Sequence, residues 1–326
     1  MRDECLTAGW CEMQSRFRND RQLTVRMTVT LFLLGLLYVA FVAALIVLLK
    51  SWVLVVVIAA GLLIAQYWFS DRIALYAMHG RIVEREEYPQ LHGVVDRLCA
   101  VADMPKPLVA VSDIDMPNAF ATGRNADHAV LCVTTGLLRR LEPAELEGVL
   151  AHELSHVAHK DVAVITVASF LGVLAGLIVR FAFYSQLFGG RGRKDQNTVA
   201  IFMAVMAVSA AVYAISFMLI RALSRYRELA ADRSAALLTG RPSALASALT
   251  KVTGDIGRIP TKDLRTAQAF NAFYFTPALG AQPGIANLFS THPSLEQRLE
   301  QLARISVELG EPAVPDAITP TPGEAL

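Results

Sequence analysis

His152, Glu153 and His156 are the residues of this chain best placed to do chemistry. They stand in His152-Glu153-Leu154-Ser155-His156, an H-E-x-x-H pattern. On a helix, positions four apart share a face, so both imidazoles can point at one metal ion. Glu153 lies one step round the helix, close enough to hold and deprotonate a water at that metal. This is the arrangement of zinc sites that activate water for hydrolysis. The competing explanation, a surface helix with two solvated histidines, is weakened by the neighbouring residues. Pro143 suits a first helical position, where its missing N–H costs nothing. Leu146, Val149, Leu150, Leu154 and Val157 follow at helical spacing and form one core-facing stripe.

A catalytic zinc site needs a third protein ligand and keeps one position open. The best residue for it is Glu228, in Arg225-Tyr226-Arg227-Glu228-Leu229-Ala230-Ala231-Asp232. Asp232, one turn further on, can accept a hydrogen bond from the free N–H of a ligand histidine. Alone, this segment reads rather as an ordinary charged helix face with Arg–Glu pairs. Downstream of H-E-x-x-H, the metal reading is preferred.

The elements that hold these residues include membrane spans. The chain has 326 residues and is 54% hydrophobic, and its mean hydropathy is +0.43. The excess is local. Met27 to Leu49 carries no charge over roughly 23 residues, enough to cross a bilayer. Val53 to Phe69, Val162 to Tyr184 and Val199 to Ile220 are three more apolar runs. Arg180 interrupts the third only near its end, where it can snorkel. The first run is too long for a cleavable signal and is followed at once by a second span.

Four runs make two hairpins. Arg2, Arg16, Arg18, Arg21 and Arg26 precede the first, whose turn holds only Lys50. The positive-inside rule then places the N-terminus and the segment from Ser70 in the cytoplasm. Arg191, Arg193 and Lys194 in the second turn argue mildly the other way. A shared site overrides them, because Glu228 meets His152 and His156 only if the second hairpin returns the chain to the same side. Helix rise puts His156 and Glu228 at roughly 9 and 12 Å from the ends of their spans, which places one site near the cytoplasmic membrane face.

The organisation that follows is a tail over 1–26, hairpins over 27–69 and 162–220, and soluble halves over 70–161 and 221–310. A tail over 311–326 is rich in Pro, Gly, Thr and Ala and is expected to be disordered. Within the soluble halves, Tyr88 to Ala102 reads as an amphipathic helix. Leu108 to Ser112 and Ala129 to Thr134 read as paired strands, and Ala244 to Val252 as a helix. Gly254 to Ser290 reads as a long irregular loop, and a last helix starts near Pro293. The fold class is therefore mainly α with a small β-sheet. The net charge of +1 gives no reason to invoke nucleic acid. Cys5, Cys11, Cys99 and Cys132 form no C-x-x-C and read as reduced thiols.

Together these pieces resemble a known family. His-Glu-Leu-Ser-His with four spans, Asn118-Ala119-Phe120-Ala121-Thr122-Gly123 upstream, Arg-x-Arg-Glu-x-x-Ala-Asp at 225–232, and Thr291-His292-Pro293-Ser294-Leu295-Glu296-Gln297-Arg298 downstream look like the HtpX membrane proteases of the M48 group. The likeness covers roughly residues 27–305. It implies an integral membrane gluzincin-type metalloprotease with one zinc per chain. His152, His156 and Glu228 would be the ligands and Glu153 the catalytic base. It also implies polypeptide substrates, above all misfolded or damaged membrane proteins, cut at the cytoplasmic side of the bacterial plasma membrane. Asn118, Ala119 and Phe120 would lie on an edge strand that pairs with substrate backbone. The oxyanion of peptide hydrolysis needs a donor besides zinc. His292 and Arg298 are the residues to consider, Arg298 being equally a partner for Asp232 or Glu296. His159 reads as a membrane-surface residue, and Asn271-Ala272-Phe273 as a chance repeat. Rival readings are a narrow processing protease of the Ste24 or Oma1 type, and a non-catalytic scaffold with structural zinc. The scaffold would need a fourth Cys or His at suitable spacing. A transporter fits poorly with spans so lacking in polar groups.

Overall fold

The structure, a computed structural model, describes residues 21–49, 78–123, 126–161, 196–258 and 292–311, with scattered positions between 57 and 68 and between 164 and 179. Residues 1–20 of the expected N-terminal tail, most of the second apolar run, the second hairpin turn, most of the irregular loop with its Asn271-Ala272-Phe273, and residues 312–326 lie outside them, whereas residues 21–26, expected in the tail, are helical. Among the described residues the chain is mostly helical with one four-stranded sheet.

Helix α1 (Arg21–Leu49) holds the first apolar run. The fourth run opens a helix of 44 residues, here α5 (Gln196–Thr239). Thr24–Val47 and Val199–Thr239 are both long and apolar enough to cross a membrane. At 1.5 Å per residue α5 is about 66 Å long, against a hydrocarbon core of about 30 Å. It therefore carries its last five turns well beyond any bilayer it crosses, and Glu228 and Asp232 lie on that extension. Described positions of the second and third runs are helical. Phe41 and Leu45 of α1 pack with Phe170, Leu174 and Ala175 of the third run and with Val212 of α5. A Cβ on Gly172 would meet Ser216 Oγ at 3.3 Å, and one on Gly176 would meet Tyr213 at 3.3 Å. The Gly172-x-x-x-Gly176 spacing thus lets the third run approach α5 closely, as small residues do between membrane helices.

Between the second and third apolar runs the described residues form β1 (Arg81–Ile82), α2 (Pro89–Ala102), β2 (Leu108–Ser112), β3 (Ala119–Thr122) and β4 (Val130–Thr134). Pro89 occupies the start of α2, and Asp103 closes it in the left-handed conformation. The sheet order is β1-β2-β4-β3. β2 runs parallel to β4, as the two β-branched runs were expected to pair, while β1 and β3 are antiparallel edges. β4 leads directly into α3 (Thr135–Arg140), whose N-cap Thr134 accepts a hydrogen bond from Leu137 N–H. Gly136 is needed in this turn, because a Cβ there would run into the Asp115 carbonyl.

α4 (Pro143–Ala158) carries the H-E-x-x-H residues. Val149, Leu150 and Leu154 are fully buried on the helix that packs against β3, α5 and α6 (Pro242–Arg258). Replacing such a leucine by alanine costs roughly 2–5 kcal/mol. Glu145 ties the start of α4 to α6 through Ser247 Oγ at 2.6 Å and Lys251 Nζ at 2.7 Å. α6 runs on through Gly254 to Arg258, so the irregular segment starts later than Gly254. A helix-interior glycine costs only about 1 kcal/mol, which packing readily offsets. The last helix, α7 (Leu295–Leu309), is capped by Ser294 and closed by Gly310 at φ 70°.

Candidate metal centre

α4 and the extension of α5 pack together so that three ligand atoms converge. Nε2 of His152 and Nε2 of His156 are 3.2 Å apart. Glu228 brings Oε2 to 3.6 Å from His152 Nε2 and Oε1 to 3.4 Å from His156 Nε2. Tetrahedral bonds of ~2.0–2.1 Å would separate ligand atoms by roughly 3.3–3.4 Å. The triangle matches that size. In the tautomer that places the proton on Nδ1, both Nε2 lone pairs face one point, and two lone pairs this close call for a cation between them. The residues therefore fit a divalent metal, and among the described residues this is the cluster with metal-binding geometry.

Each histidine is backed by a carboxylate, and each carboxylate by an arginine. His152 Nδ1 lies 2.9 Å from Asp232 Oδ1. Asp232 takes two hydrogen bonds from Arg298, Nε to Oδ2 at 2.7 Å and Nη2 to Oδ1 at 2.6 Å. Asp232 is fully buried and Arg298 is 1% exposed. Breaking such a buried pair by removing one partner costs about 3–5 kcal/mol. Burial pushes the Asp232 carboxyl up, but the Arg298 guanidinium and His152 outweigh it and hold it below its usual range. Of the three uses considered for Arg298, the structure realises the pairing with Asp232. Arg298 thereby supports Asp232 behind His152, and its Nη1 also lies 3.9 Å from Glu228 Oε2.

His156 Nδ1 lies 2.7 Å from Asp161 Oδ2, and the same oxygen lies 2.7 Å from Arg227 Nη2. Neither residue stood out in the sequence. Asp161 is five residues past His156, which on a straight helix would put it about 140° round from His156. The helix ends instead. His159 closes α4 with its ring Nδ1 2.8 Å from the Ser155 carbonyl, and Lys160 takes φ 55°. A left-handed non-glycine residue costs roughly 1–2 kcal/mol. The kink turns Asp161 back toward His156. His159 is thus a helix-end residue, and the simple rise from His156 to the third run does not hold, because the helix between them is broken.

Glu153 is 5% exposed and accepts a hydrogen bond from Ala121 N–H at Oε2, 3.1 Å. Burial raises its pKa, against the pull of His152 and His156, which is the direction a general base near neutral pH needs. Burial likewise pushes Glu228 up, but His292, His152 and His156 hold it well below its usual range. His292 brings Nδ1 to 3.1 Å from Glu228 Oε2. It stands against the third ligand carboxylate, and that contact does not make it an oxyanion donor.

The edge strand corrects one expectation. In an antiparallel pair, alternate residues turn their backbone groups to the partner. Asn118 N–H donates to Thr134 Oγ1 at 2.9 Å and its carbonyl accepts from Thr134 N–H at 2.9 Å. Asn118 therefore faces β4, and by register Phe120, opposite Cys132, does too. Neither can offer its backbone to a substrate strand. Ala119 and Ala121 turn theirs outward, as the Ala121–Glu153 bond confirms for the second.

The sequence profile described as peptidase family M48 matches residues 85–306. Protease HtpX homolog 1 of Streptomyces coelicolor is 81% identical over 313 residues, covering 96% of this chain and 100% of its own length. Protease HtpX homolog of Moorella thermoacetica is 50% identical over 301 residues, covering 92% of this chain and 99% of its own. Protease HtpX homolog 2 of Methanosarcina mazei is 47% identical over 297 residues, covering 91% and 100%. Among solved structures, S. mikatae Ste24p aligns with a TM-score of 0.49 at 19% identity, covering 86% of this chain and 66% of that one, about two thirds of its length.

Proposed function

The chain belongs to peptidase family M48 as an HtpX-type membrane metalloprotease, and from that premise we propose that it is a zinc endopeptidase acting on misfolded or damaged membrane proteins. The observation that carries the proposal is the triangle of His152, His156 and Glu228 with Glu153 beside it. This ligand set is of the gluzincin type. Three protein ligands with no fourth among the described residues fit an open, catalytic zinc site better than a closed structural one.

His152, His156 and Glu228 would hold the metal, and Asp232 keeps the His152 ring turned toward its position. Bound there, zinc supplies Lewis-acid polarisation of the scissile carbonyl and makes a water acidic near neutral pH. Glu153 takes the attacking water's proton on its carboxylate and passes it to the leaving amine. The outward backbone of Ala119 and the outward carbonyl of Ala121, whose N–H is held by Glu153, align an extended substrate segment by strand addition. Such pairing makes little demand on sequence but requires an unfolded chain, which suits damaged proteins.

Two hairpins, with the site in the cytoplasm next to the bacterial plasma membrane, complete the proposal. The unbroken α5 supports it, since one helix joins the fourth apolar run to Glu228. The test uses the full chain, purified in detergent with zinc, against an unfolded protein and its folded form. Zinc-dependent cleavage of the unfolded form is expected. Absence of cleavage with zinc bound would favour the scaffold, and cleavage at one strict sequence would favour a processing protease.

A further inference from the structure

We infer that Asp161, held by Arg227, positions His156 and so sets how tightly the metal binds. This rests on the metal-site reading above.

His152 and His156 have parallel supports of unlike construction. The His152 support, Asp232 and Arg298, lies within the soluble domain on α5 and α7. The His156 support lies where the third and fourth apolar runs meet that domain. Asp161 immediately precedes the third run, and Arg227 lies on α5 one residue before the ligand Glu228. Asp161 and Arg227 are 4% and 8% exposed, so their ion pair is shielded from water.

A histidine that binds metal through Nε2 must carry its proton on Nδ1. A carboxylate at Nδ1 fixes that tautomer, holds the ring plane and makes Nε2 a better donor. Asp161 Oδ2 at 2.7 Å is placed for this. It gets there only because the chain breaks at His159 and Lys160, and the left-handed Lys160 marks the backbone's accommodation. Arg227 holds the same oxygen at 2.7 Å. Because Arg227 and Glu228 are adjacent on one helix, the clasp also fixes the third ligand relative to the second. The spacing of the two membrane runs is thereby tied to the metal site.

The test is zinc affinity of the detergent-purified full chain by chelator competition, with the visible spectrum of the Co2+-loaded protein as a second readout. Asp161→Asn should lower zinc affinity about 10–100-fold and shift the Co2+ bands. Arg227→Gln should lower it less, since the carboxylate remains, and Arg227→Lys should restore it. The double variant should be no worse than Asp161→Asn alone, because the two residues act in series. Wild-type-like affinity and an unchanged Co2+ spectrum in Asp161→Asn overturn the inference while leaving the metal site intact. Additive losses in the double variant overturn it as well. Failure of every Asp161 and Arg227 variant to accumulate as folded protein makes the pair a folding element and also overturns it. Wild-type protein that binds neither metal sinks the metal-site reading together with this inference.

Discussion

The backbone N–H of Ala121 donates to Glu153 Oε2 at 3.1 Å, so the proposed base is tied to the edge strand proposed to receive substrate. Both ends of the reaction are thus indexed to one strand. A carboxylate that is buried and held in this way has little freedom to choose another partner, which is what pre-organisation of a base requires.

Glu153→Gln should retain metal and fold but lose proteolysis by roughly 10²–10⁴-fold, the usual worth of general acid–base catalysis. The amide oxygen can still accept from Ala121, so the strand should stay in place. Single-turnover cleavage of an unfolded protein, with metal content measured on the same sample, checks this. Near wild-type cleavage removes Glu153 as the base.

Two proline substitutions on the edge strand should behave oppositely. Ala119 turns its N–H away from β4, and proline is tolerated at an edge with that orientation. Ala119→Pro should therefore fold and bind metal but cleave slowly. Asn118→Pro loses the bond to Thr134 Oγ1 and should be destabilised by about 1–3 kcal/mol. Thermal melting beside cleavage rates separates the two. Equal melting and equal activity contradict the assigned strand register.

Acid should weaken the contact between α4 and α6. Burial pushes the Glu145 carboxyl up, but Lys251, Ser247 and the Glu142 N–H outweigh it and hold it below its usual value. A depressed folded pKa contributes stability above the unfolded value that is lost as pH falls through the folded one. Wild-type stability should therefore fall below about pH 4.5, and Glu145→Gln should flatten that dependence. Melting curves from pH 7 to pH 3.5 measure the difference. Parallel curves for the two proteins contradict it.

Topology gives a separate expectation. In a variant with Cys5 and Cys11 replaced by serine, a cysteine at Arg193 should label from outside intact cells, and one at Arg241 should not. Cys99 and Cys132 are buried and should stay silent. The reverse pattern contradicts a cytoplasmic site.

What the sequence made legible follows from helix geometry. His152, Glu153, His156, Glu228 and Asp232 are spaced so that one helix face settles their neighbours, and both helices are found. The four apolar runs were visible because lipid demands length and low charge, and two of them are continuous helices in the described residues. Asp161 escaped notice because its approach to His156 needs the break at Lys160, and no spacing rule gives a kink. Arg227 was hidden among ordinary charged residues of a helix face. Asn118 was assigned to the wrong side of its strand because the outward parity is set by pairing with Thr134, a contact 16 residues away. Arg298 had three readings in sequence, as oxyanion donor or as partner of Asp232 or Glu296. Its bidentate grip on Asp232 realises one of them.

The most direct test of the account is metal content of the purified full chain, wild type beside Glu228→Ala. The account predicts one zinc per wild-type chain. It predicts loss of most of that zinc, and of proteolysis, in Glu228→Ala, with a smaller loss in Asp232→Asn. Full zinc occupancy in Glu228→Ala, or none in active wild-type protein, would contradict it.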